Sequence, residues 1–101
     1  MNKLLVLLAL FSTQCLASDP AKDCERIEEF AREIMTMRQG GEPLRVLISK
    51  AETPLVKEVI VEAYREPRMY SKVNKQRMID DYANKIYLQC YTVLSAELKG
   101  K

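Results

Sequence analysis

The chain has 101 residues, 48% of them apolar and 30% charged, with 16 Lys and Arg against 14 Asp and Glu, a formal charge of +2 and no histidine. So small a net charge gives no support for a nucleic-acid partner, and without an imidazole the commonest general base and metal ligand is missing. The length fits one small domain whose core alone is marginally stable.

Met1-Asn2-Lys3 gives a short positive start, and Leu4 to Phe11 is an unbroken apolar run of 8 residues. Small residues at Cys15 and Ala17 fit the minus-three and minus-one positions of a cleavage site after Ala17. The spacing predicts a secretory signal peptide over 1–17, too short in its apolar part to span a bilayer. A lipoprotein signal would want a small residue before Cys15, where Gln14 stands. Cleavage leaves a single helical domain over 18–101, with a periplasmic address and no further stretch apolar enough for a membrane span. Cys15 departs with the signal, so Cys24 and Cys90 remain, and in an oxidising compartment a Cys24–Cys90 disulfide is expected. They have neither a Cys-x-x-Cys spacing nor a neighbouring His to make a redox or metal site.

Ser18 or Asp19 can cap a first helix with Pro20 in its first turn. Cys24, Ile27, Ala31 and Ile34 then recur at helical spacing, widened by Phe30, Met35 and Met37. The opposite side carries Glu25, Glu28, Glu29, Arg32 and Glu33, with Glu28–Arg32 partly offsetting the like charges. Gln39-Gly40-Gly41 ends the helix, Gly40 or Gly41 supplying the left-handed residue. Glu42-Pro43 starts a short second helix by the same device, with Leu44, Leu47, Ile48 and Ala51 as its apolar face. Thr53-Pro54 caps and opens a third helix running to about Arg65, with Leu55, Val56, Val59, Ile60, Ala63 and Tyr64 at helical spacing. Val59-Ile60-Val61 is β-branched, yet Lys57, Glu58 and Glu62 fall to one side and no partner strand is visible, so the helix stands. Glu66-Pro67 ends it. Ser71 caps the last and longest helix, whose apolar positions are Met78, Ile79, Tyr82, Ala83, Ile86, Tyr87, Cys90, Val93 and Leu94. That seam should lie along the first helix. The expected fold is all-α: a compact four-helix bundle of two long and two short helices with one disulfide.

The pattern contains no catalytic constellation. No Ser stands in a Gly-x-Ser-x-Gly setting, Asp80 and Asp81 diverge on a helix, and Gly40-Gly41 closes a helix instead of opening one. No enzymatic activity, cofactor or metal is expected. The methionines at 35, 37, 69 and 78 are better read as core and rim packing than as copper(I) ligands.

Charge is uneven along the chain. Arg65, Arg68, Lys72, Lys75 and Arg77 face Glu66 alone, whereas 6 acids lie between Asp19 and Glu33. The cluster reads as a basic corner for an anionic partner, or as a solvated turn. Arg38, Tyr64, Arg65, Arg68 and Tyr70 stand at helix ends and are residue types that anchor interfaces. The alternative is that they cap helices and fix corners, Arg38 lying over the core with its guanidinium held by carbonyls or an acid. With Lys72, Lys75 and Arg77 they form the candidate interaction surface.

Ala31-Arg32-Glu33-Ile34-Met35-Thr36-Met37-Arg38-Gln39-Gly40, Glu62-Ala63-Tyr64-Arg65-Glu66-Pro67-Arg68 and Tyr87-Leu88-Gln89-Cys90-Tyr91 carry a resemblance that covers nearly all of the mature chain. In these segments the sequence resembles small exported proteins of Gram-negative bacteria and their prophages that carry no assigned function. The resemblance implies a helical fold with the same disulfide and a periplasmic address, and it carries over no catalytic residue. In architecture alone the chain is similar to periplasmic acid chaperones and to helical immunity proteins against cell-wall-degrading toxins. The expectation is a protein-binding module of the immunity, inhibitor or phage-related exclusion or lysis type. A stress chaperone that exposes apolar surface in acid, and a structural protein on anionic cell-wall polymer, are the alternatives.

Overall fold

The computed structural model describes residues 19–99; the expected signal peptide, its cleavage position and the Ser18 cap lie outside them. Among the described residues the chain is all-α, without strands: α1 (Pro20–Gln39), α2 (Leu44–Lys50), α3 (Pro54–Arg65) and α4 (Lys72–Lys99). None of these helices is long and apolar enough to cross a membrane.

Local chemistry sets the boundaries. The Asp19 carboxylate accepts the Ala21 N–H at 3.0 Å, the Thr53 hydroxyl the Val56 N–H at 3.2 Å and the Ser71 hydroxyl the Asn74 N–H at 3.1 Å. Each satisfies an amide that the first helical turn leaves without a partner. Pro20 and Pro54 lie in the first turns of α1 and α3. The second helix departs from this device: Pro43 is itself the cap residue, and no side chain caps α2. Gly41, at φ +92°, is the left-handed residue that ends α1, and the Glu42 N–H reaches back to the Met37 carbonyl at 3.0 Å.

Three contacts run α1 and α4 antiparallel. Cys24 and Cys90 are joined by a disulfide with Cα atoms 5.6 Å apart; Arg32 is ion-paired with Asp80; and the Gln39 side chain bonds the Met69 N–H just before α4. Arg32 therefore reaches across to α4 instead of serving Glu28 on its own helix. Its guanidinium, with help from Gln76, holds the Asp80 carboxyl below the usual carboxylate range. The core lies between α1 and α4 and under α3: Ala31, Ile34 and Met35 meet Ile79, Tyr82 and Ile86, closed by Val59, Ile60 and Ala63. Leu47 is the one buried residue of α2, which rests mainly on α3.

Four expected core positions lie elsewhere. Met37, Leu44, Leu55 and Val93 are exposed. Val93 follows the disulfide, where α4 is passing the start of α1 and little remains to cover it. The other three stand around α2, which is too short to spread over the apolar surface offered to it.

Tyr82 is buried, with its hydroxyl donating to the Val59 carbonyl, a bond that ties α4 to α3. Burial, aided by the charges of Glu62 and Glu66, pushes its phenol well above the ordinary value of 10.0. The unfolded chain then releases this proton first, so the associated stability is whole below about pH 10 and is withdrawn as pH rises beyond it. Tyr82→Phe should cost roughly 1 to 2 kcal/mol at neutral pH and blunt the alkaline fall. A urea-denaturation series from pH 7 to 11 checks both, and a variant with an unchanged alkaline limb would exclude Tyr82 as its source.

Candidate functional site

The corner between α3 and α4 is held from below by the last two residues of α1. Arg38 donates from Nε at 3.2 Å and from Nη2 at 3.1 Å to the Glu66 carbonyl, and its guanidinium lies 5.1 Å from the Tyr64 ring centroid. Gln39 is 2% exposed and uses both ends of its amide: Nε2 donates to the Pro67 carbonyl at 2.9 Å, and Oε1 accepts the Met69 N–H at 2.7 Å. A polar side chain this deep must be fully satisfied, and this one is spent on the connector. The Tyr64 hydroxyl donates to the Glu42 carbonyl, and Lys85 lies 3.7 Å from Glu66. Partial burial raises the Tyr64 phenol against the lowering influence of Arg38. A Cβ at Gly41 would sit 3.2 Å from the Arg68 guanidinium, so the same glycine that ends α1 leaves room for Arg68.

The candidate surface therefore divides. Arg38 and Tyr64 are engaged inside the corner, and Arg65 is paired with Glu62 at 2.8 Å. Arg68, Lys72 and Arg77 are exposed and Lys75 half-exposed, and among the described residues none of the four is in an ion pair. Tyr70 stands free of the fold at 102% relative exposure, with Val73 exposed one turn on. Val73 and Arg77 share a face of α4 by helical spacing, and Tyr70 stands on the connector just before that helix, so an aromatic, an aliphatic and a cation are exposed around the start of α4.

Sequence reasoning missed two features. By type and position Gln39 reads only as part of a helix terminus, although it continues the four-residue steps of the buried positions Ala31 and Met35. The second is an open apolar groove of about 420 Å³ between α1, α2 and α3, with Glu42 and Lys50 among its lining. Its one signal was surplus: Leu44, Val46, Leu47 and Ile48 are more apolar residues than one face of a short helix can bury.

Among the described residues no group of three or more His, Cys, Asp or Glu is placed to hold a metal ion. What the fold and corner define is an all-α, disulfide-tied protein presenting a braced cationic and aromatic surface. No family model matches the chain, and no curated protein or solved structure does so either.

Proposed function

We propose that this is an exported protein of the periplasm that works by binding another protein, in the manner of an immunity protein, an enzyme inhibitor or a phage-related modulator of exclusion or lysis. The observation that carries this reading is Tyr70: a whole aromatic side chain in solvent, on a connector fastened by Arg38 and Gln39. A large side chain on a braced backbone loses little freedom when it is covered, and Tyr and Arg are the types that dominate interface energies. Arg68, Lys72, Lys75 and Arg77 around it select a partner with an acidic surface and speed encounter at low salt. Function by occlusion requires no catalytic group.

Tyr70→Ala combined with Arg68→Ala should weaken capture of the periplasmic partner by more than about tenfold at an unchanged melting temperature. Capture from periplasmic extract by wild-type and doubly substituted protein, with thermal melts of both, measures this. Equal capture would refute the reading. Salt-sensitive retention on purified peptidoglycan with no protein captured would move it to the polymer.

A further inference from the structure

The groove between α1, α2 and α3 rests on observations independent of the corner. Phe30, Ile34, Val46, Leu47, Val56 and Ile60 line it. Met37, itself part of the lining, and Leu44, the first residue of α2, are both exposed. A small apolar ligand filling the groove would cover Met37 but leave Leu44, outside the lining, in water, so the surface asks for a wider cover.

Its charges say which. Glu42 lies just before α2 and Lys50 is the last residue of α2, both exposed and both lining the groove, set apart by the roughly 9 Å rise of the helix and the extended residue that precedes it. One end of the surface is acidic and the other basic. A two-fold axis across α2 sets each end against its opposite, because in such an interface residue i meets j wherever j meets i. We propose that this face is covered by a second copy of the chain, the two α2 helices antiparallel, with Lys50 of each protomer facing Glu42 of its partner. Leu44 and Met37 of one copy then enter the groove of the other. An unrelated partner would need its own matching pair of opposite charges; a second copy brings them by symmetry.

Sedimentation equilibrium on the disulfide-intact chain, from micromolar to millimolar, should give reversible dimerisation. Glu42→Lys alone and Lys50→Glu alone each place like charges together at both ends and should weaken association by at least about tenfold. The double variant Glu42→Lys/Lys50→Glu restores the opposition and should recover the parent constant. Leu44→Asp should abolish the dimer while keeping helix content, since an acidic residue in a first helical turn favours the helix. A monomer at every concentration would overturn the proposal. So would a dimer indifferent to the single substitutions, or one lost in the single variants and not recovered in the double.

Discussion

Replacing Cys24 and Cys90 together by alanine should lower the unfolding free energy by about 4 kcal/mol, the loop-closure entropy of a cross-link across a sequence separation of 66. A small domain has roughly 5 to 15 kcal/mol in all, so the variant should be partly unfolded at growth temperature. The loss falls on one pole of the molecule, where the start of α1 meets the second half of α4 and the side chains of residues 91–96 are largely exposed. Little apolar contact there substitutes for the covalent tie. Chemical denaturation of the double variant, beside the wild type with and without reductant, measures the effect. A difference under about 1 kcal/mol would mean that packing between α1 and α4 already closes the chain in the unfolded ensemble.

Gln39→Met should cost roughly 1 to 3 kcal/mol, because it keeps volume and burial but removes two part-buried hydrogen bonds, to the Pro67 carbonyl and from the Met69 N–H, each worth about 0.5 to 1.5 kcal/mol net. The damage lies at the other pole, so it should add to that of the cysteine variant. Its second effect is on the corner. With the connector released, Tyr70 keeps its chemistry and loses its bracing, and affinity for a partner at this surface should fall although no contacting residue has changed. Hydrogen exchange at the Met69 amide separates the two effects. Fast exchange with intact core protection marks a freed connector, and unchanged exchange would exclude Gln39 as its clamp.

Much of the architecture was legible because it rests on local rules. Asp19, Thr53 and Ser71 are capping types placed before apolar helical periods, and Pro20 and Pro54 stand where a missing N–H costs nothing. The Cys24–Cys90 pairing follows from the expectation that Cys15 leaves with a signal peptide, and Arg38 is expected to have its guanidinium held by carbonyls or an acid, as it is by the Glu66 carbonyl. Periodicity did not carry where burial depends on what lies opposite. Leu44 and Leu55 obey the helical spacing as well as Leu47 and Val56 do, yet only the latter find cover. Gln39 failed for the reverse reason: a polar residue in a buried register reads as a terminus until its partners, near 28 to 30 residues away, are known. The corner residues were found by type, but their division into braces and exposed groups depended on carbonyls, and a sequence does not announce where a carbonyl points.

The antiparallel pairing of α1 and α4 also gives the molecule a handle. The described residues begin at Asp19 and end beyond Cys90 on the same side, beside the disulfide. From Lys72 to Cys90 the helix rises roughly 27 Å, which sets Tyr70 at the far end. A reporter domain, an affinity label or a linker to a bead joined next to Asp19 or Lys99 is therefore attached well away from the corner. Immobilised through either of these points, the protein offers that corner outward.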